Sequence, residues 1–211
     1  MDYAQYKQFE FRRKFWKLFG AQISVFDPLT EAPLAFIKMK ALKLKEDIGI
    51  YTDSSQSQEL MRIKARNVID FGATYDVTDT KTGQIIFSFQ RKGLRSTFVR
   101  DKWNLLDTSG AIVGALQETS KGLAFARRYL GLIPYVGEIL DLIFAFAPQT
   151  YDILQNGPDG QPKVGAKIVH RKNPFIVKMS VDMNNAEIDM DHRIVFAGSA
   201  LLSINDAVKN A

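Results

Sequence analysis

Hydrophobic and polar residues alternate with a period of two over long stretches of the chain. Met61, Ile63 and Ala65 fall on one face and Arg62, Lys64 and Arg66 on the other. Likewise, Phe175, Val177, Met179, Val181 and Met183 alternate with Ile176, Lys178, Ser180, Asp182 and Asn184. That period predicts strands with one face in a core and one in water. In LAFIKMKALKLK the lysines stand at 38 and 40 and then at 43 and 45, so the outward phase slips by one residue. A slip of this kind predicts a β-bulge near Ala41 or Leu42, bending the sheet toward closure. Four segments read as hairpins: ISVFDPLTEAPLAFIK from Ile23, YDVTDTKTGQIIFSFQRK from Tyr75, WNLLDTSGAIVGALQE from Trp103 and YDILQNGPDGQPKVGAKIVHRK from Tyr151. Asp27-Pro28, Asp79 with Gly83, Asp107 with Gly110, and Asn156 to Gly160 supply their turn caps and positive-φ positions. The spacing is irregular, so the pattern is a meander of hairpins and not a repeat array.

The period changes twice. From Ser120, an N-cap residue, SKGLAFARRYLG makes three turns ending at Gly131, and Pro134 suits the first turn of a second helix to about Ala147. This predicts a helical insertion over about 120–148. A last helix is predicted over about 192–208, and its core IVFAGSALLSIN has no polar face to offer water. Such a helix in a soluble chain must be surrounded by protein. The economical solution is a helix threaded through a closed antiparallel barrel, which also removes exposed sheet edges. The fold class expected is therefore mainly β with a central α, one domain over 1–211.

Composition narrows the chemistry more than it names it. At 211 residues with 46% hydrophobic and 24% charged, the chain is that of a folded protein. It has no cysteine and two histidines, which removes disulfides, thiolate zinc sites and cysteine nucleophiles. His170 lies on an expected strand and His192 precedes the last helix, and no nucleophile stands at a useful spacing from either. GxSxG, Walker A, GxGxxG and HExxH motifs are lacking. The expectation is a non-enzymatic protein with no cofactor. Glu10, Arg12, Arg13, Lys14 and Lys17 interrupt the N-terminal segment, so it does not read as a signal peptide and a cytoplasmic location is expected. Of the two most apolar stretches, Tyr129 to Pro148 contains Glu138 and Asp141 and Ile194 to Asn205 is too short to span a bilayer.

Four stretches carry a family likeness: ALKLKEDIGIYTDSSQSQELMRIKAR from Ala41, VIDFGATYDVTDTKTG from Val68, RKGLRSTFVRDKWNLLDTSGAIVGALQETS from Arg91, and DMDHRIVFAGSALLSINDA from Asp189. In this order the chain resembles the tubby C-terminal-like superfamily, in particular the bacterial relatives of phospholipid scramblases and the LURP-one-related proteins. The resemblance implies a closed antiparallel barrel of about 12 strands around a buried hydrophobic C-terminal helix. The apolar stretch Gly131 to Pro148 is longer than the family's usual connection. Functionally the resemblance implies binding of phosphoinositide headgroups or other anionic phospholipid. No local motif carries over the tubby lysine and arginine pair. Scramblases have an acidic stretch before the last helix that is implicated in calcium binding. The matching segment here, VDMNNAEIDMD, holds Asp182, Asp189 and Asp191 as weak calcium candidates, without the Gly and terminal Glu of an EF-hand.

Net charge is +5 with a pI near 9.3, which favours anionic partners. The candidate headgroup-binding cations are Arg62, Lys64 and Arg66 on one strand, Lys38 and Lys40 on another, and Arg91 and Lys92 at the central hairpins, where Lys102 also lies. Alternating lysines also keep a barrel's outer face solvated, and this is the competing explanation. At an anionic membrane each well-placed cation adds about 1 kcal/mol, so a few give weak, salt-sensitive docking that a hydrophobic element must help. Ile139, Leu142, Ile143, Phe144 and Phe146 are the candidates for that element. They serve equally as a cap on the barrel or as a homodimer contact. The segment FEFRRKFWKLFG has the aromatics and cations to stack bases, but it lacks any nucleic-acid motif and is expected to seal one end of the core. Two functions follow from these readings. One is an anionic phospholipid or phosphoinositide-binding, scramblase-like module at the cytoplasmic membrane face. The other is a cytosolic structural or protein-interaction barrel, as a homodimer in one form.

Overall fold

The computed structural model describes residues 5–14, 21–39, 47–66, 72–92, 102–119, 148–171 and 176–209. They form β1 (Gln8–Lys14), β2 (Gln22–Phe26), β3 (Pro33–Met39), β4 (Asp47–Tyr51), β5 (Glu59–Ala65), β6 (Thr74–Asp79), β7 (Ile85–Arg91), β8 (Lys102–Leu106), β9 (Ile112–Glu118), β10 (Gln149–Asn156), β11 (Pro162–Arg171), β12 (Ile176–Asp182) and the helix α1 (His192–Lys209). Each strand runs antiparallel to its neighbours in sequence, and β1 pairs with β12 from Gln8↔Asp182 to Lys14↔Ile176, closing the ring. No edge remains open.

The four expected hairpins are β2–β3, β6–β7, β8–β9 and β10–β11. An aspartate organises the turn in each. Asp27 accepts from Leu29 N and Thr30 Oγ1, Asp79 from Lys81 N, Asp107 from Ser109 N and Ala111 N, and Asp159 from Gln161 N. Three turns use glycine at positive φ, at Gly83, Gly110 and Gly160. The first does not. Glu31 stands at φ 58° in the place that Gly83 holds in the second turn, each four residues after its aspartate and donating its N–H to that aspartate's carbonyl. A side chain there costs about 1 kcal/mol. Glu31 is held by the Arg12 guanidinium, which donates to its two oxygens at 2.6 and 2.7 Å.

The helix fills the lumen. Twelve strands spaced at about 4.8 Å and tilted by about 40° close at roughly 24 Å between opposite backbones; two inward side-chain layers then leave room for one slender helix. Val195 to Ile204 are buried, with small residues at Ala197, Gly198, Ser199 and Ala200. Phe196 packs on Phe9 and Phe11 of β1, with ring centroids 5.6 and 5.2 Å away. Across the ring, a Cβ on Gly198 would come within 3.1 Å of the Phe89 ring of β7. Contacts with opposite walls place α1 inside, as the apolar C-terminal pattern predicts. Asp191 caps its N-terminus, accepting from Arg193 N at 2.8 Å. At the other end Arg13, inward on β1 after Phe9 and Phe11 and only 5% exposed, donates to the Ser203 carbonyl at 3.3 Å. A cation there suits the negative end of the helix dipole.

These contacts give the barrel two distinct ends. The helix enters where the hairpin turns lie and where Arg193 Nη1 is 3.3 Å from Asp79 Oδ2 of β6. It leaves at the end marked by Lys14, Ala65, Arg91, Lys102 and Arg171. The helical insertion expected at about 120–148 falls on 120–147, outside the described residues, as does the bulge expected near Ala41 or Leu42. Among the described residues α1 is the single helix, and no helix is long and apolar enough to cross a membrane.

Candidate functional site

The cations that the sequence singles out on β5 do point outward, while Met61, Ile63 and Ala65 are buried. The register then shows what stands beside them. Lys64 lies between Asp47 of β4 and Asp76 of β6. Arg62 Nε is 3.2 Å from Asp47 Oδ1 and 3.1 Å from Glu59 Oε1, and the Asp47 side chain is only 6% exposed. Arg66 Nε lies 2.8 Å from both Asp76 oxygens, and its Nη2 reaches Ser88 Oγ at 3.3 Å. Burial works against the charged Asp76, but the Arg66 guanidinium and the Ser88 hydroxyl outweigh it and hold the carboxyl below its ordinary value. Arg62, Lys64 and Arg66 thus interleave with Asp47, Glu59 and Asp76, a ladder without net charge. Lys38 donates to Gln56 Oε1 at 3.2 Å on the same wall, and Lys40 lies outside the described residues.

A different arrangement occupies the helix-exit end of β7 and β8. Lys92 N donates to Lys102 O at 3.0 Å, continuing the register Arg91↔Trp103, so the two lysines face each other directly across the strands. Lys92 is exposed and Lys102 half-buried, with no carboxylate paired to either among the described residues. Like charges set opposite one another oppose sheet stability by a few tenths of a kcal/mol up to about 1. Arg91 turns the other way, with its guanidinium 5.6 Å from the centre of the buried Trp103 ring at the barrel mouth. Arg66 lies roughly 12 Å from Lys92 by strand spacing and rise, and Lys64 one outward position further along β5. Lys64, Arg66, Lys92, Lys102 and Arg91 therefore occupy one corner of the barrel, with Asp76 the carboxylate bonded into it.

Elsewhere most of the described cations are matched, with Lys81, Lys167 and Arg171 as exceptions. Arg12 pairs with Glu10 and Glu31, Lys178 with Glu10, Lys163 with Asp159, Lys7 with Asp189 and Arg193 with Asp191 and Asp79. The acidic linker after β12 is spent on structure. Asp182 accepts from Asn184 N, Glu187 from Val164 N, and Asp191 from both the backbone and the side chain of Arg193. Among the described residues no group of three or more His, Asp or Glu side chains could hold a metal ion. A pocket of about 300 Å³ opens between Lys7 and the linker residues Met183, Asn184, Ala186, Glu187, Ile188 and Asp189. Ile139, Leu142, Ile143, Phe144 and Phe146 lie outside the described residues, in the stretch that joins β9 to β10.

Sequence reasoning placed Lys102 in the basic surface around the central hairpins but did not pair it with Lys92. The signal available was its place at the first position of a strand, paired with a lysine just past the end of the preceding one. A family model described as LURP-one-related matches residues 34–200, a span that includes β3 to β12 and the first half of α1. No curated protein and no solved structure matches the chain.

Proposed function

The chain belongs to the LURP-one-related family, within the tubby C-terminal-like superfamily, and on that premise we propose that it is a non-enzymatic anionic-phospholipid-binding module of the cytoplasmic membrane face. The observation that carries this reading is the Lys92–Lys102 pair. Two lysines set opposite one another on adjacent strands, with no carboxylate paired to either among the described residues, oppose each other in isolation and are favourable against phosphate or carboxylate groups of a lipid surface. Arg91 extends the same corner, whereas Lys64 and Arg66 beside it belong to the neutral ladder. In sequence, the segment 93–101 between these strands adds Arg95 and Arg100, and the stretch joining β9 to β10 adds Ile139, Leu142, Ile143, Phe144 and Phe146 as the apolar share of docking.

Co-sedimentation with vesicles of phosphatidylcholine alone and with phosphatidylserine, at low and physiological salt and with and without calcium, tests the proposal. Binding to the anionic vesicles alone, weakened by salt, is expected. No binding under any condition overturns it and leaves a cytosolic interaction barrel as the function to pursue.

A further inference from the structure

The charges that local pairing leaves over are sorted between the two ends of the barrel. Among the described residues outside the neutral ladder, Lys38, Lys92, Lys102 and Arg171 make no ion pair and lie toward the helix-exit end, while Lys167, also without one, stands midway along β11. Glu118 is a carboxylate at the same rim. At the hairpin end the order reverses. Asp27, Asp53 and Asp107 sit in exposed turns, bonded to hydroxyls and backbone N–H groups and to no cation. Those bonds hold each carboxyl below its ordinary value, led by the Thr30, Ser55 and Ser109 side chains respectively, so the turns stay anionic at neutral pH. Lys81 is the described cation there without an ion pair. Among the described residues, the charges that local pairing leaves over form a dipole along the barrel axis.

From this dipole we infer that the barrel meets an anionic lipid surface end-on, with the Lys92–Lys102 rim toward the headgroups and the aspartate turns facing away. The inference rests on the lipid-binding reading above and adds an orientation to it. A surface of negative potential attracts the exit end and repels the hairpin end, and the turning moment acts over about 20 Å, the length of the β8–β9 hairpin. Docking through the side of the barrel would instead set the neutral β4–β6 ladder against the lipid, where no net attraction is available.

The chain has no cysteine, so single labels can be placed cleanly. Thr108→Cys at the tip of the β8–β9 hairpin and Gln117→Cys, in register with Lys102, mark the two ends of one hairpin. Each would carry a fluorophore on phosphatidylcholine–phosphatidylserine vesicles containing a spin-labelled quencher lipid, with bound protein measured separately by co-sedimentation. Quenching of the Gln117→Cys label and not of the Thr108→Cys label is expected. Lys92→Glu with Lys102→Glu should weaken binding on the order of 1000-fold, and Asp107→Asn should not weaken it. If the protein binds but both labels are quenched equally, or the Thr108→Cys label more, the orientation is wrong and lipid binding stands. If the unlabelled protein does not bind, both fall.

Discussion

The wall formed by β4, β5 and β6 and the rim formed by β7 and β8 are both lysine and arginine rich, yet their electrostatics are opposite. On the wall, Arg62, Lys64 and Arg66 are threaded between Asp47, Glu59 and Asp76, and the buried Asp47 makes the arrangement part of the fold. At the rim, Lys92 faces Lys102, and among the described residues no carboxylate is paired to either. Cations that neighbour carboxylates hold a sheet together, whereas cations that neighbour each other weaken it. On the proposed function the difference separates a stabilising surface from a binding one, and it can be tested by asking each to do the other's work.

The largest effect is expected at the wall. Asp47→Ala leaves Arg62 without its buried carboxylate and should cost about 2–3 kcal/mol in denaturant unfolding, with vesicle binding by the folded fraction unchanged. Binding lost in proportion to stability would erase the distinction. Next comes Asp76→Asn. Because its folded-state pKa is depressed below the ordinary 3.8, the carboxylate stabilises the fold above about pH 4 and the contribution disappears as pH falls through the folded value. The variant should be about 1 kcal/mol less stable at neutral pH and should converge on the wild type in acid. A gap that persists at low pH would assign the loss to packing instead of charge. The smallest stability change belongs to Lys92→Ala with Lys102→Ala, within about 0.5 kcal/mol and on the stabilising side, since a repulsion is removed. Vesicle binding should nevertheless be lost, the reverse of the Asp47 result.

Most of the barrel was legible in the sequence because its signals are local. Alternation over residues 61–66 and 179–183, aspartate turns at 27, 79, 107 and 159, and an apolar run without a polar face before residue 205 each report one element and its buried side. Even the inward Arg13 follows from alternation with Phe9 and Phe11. The site was legible only as charge. That Arg62 is neutralised depends on which residue of β4 stands beside it, and register between strands is decided by the loop joining them and not by the strand's own pattern. Lys92 and Lys102 look like two more basic residues around residues 91–102 until β7 and β8 are aligned. Glu31 is a third case. The D-x-x-x-G frame of the second turn reads D-x-x-x-E in the first, and the partner that holds the exception, Arg12, lies on a different strand.

The chain order of this barrel has a consequence for how it is made. The helix that fills the lumen comes after all the described strands, and the strand that closes the ring on β1 immediately precedes it. While the chain is emerging from the ribosome, its hairpins pair locally but have no centre to condense around, and their apolar faces stay wetted until the final helix arrives. The contacts that close the ring join β1 to β12, the most distant pairing among the described strands, so folding is slow and nearly all-or-none at the end. A premature stop anywhere before α1 therefore yields not a smaller barrel but a sticky ribbon, a substrate for chaperones and proteases.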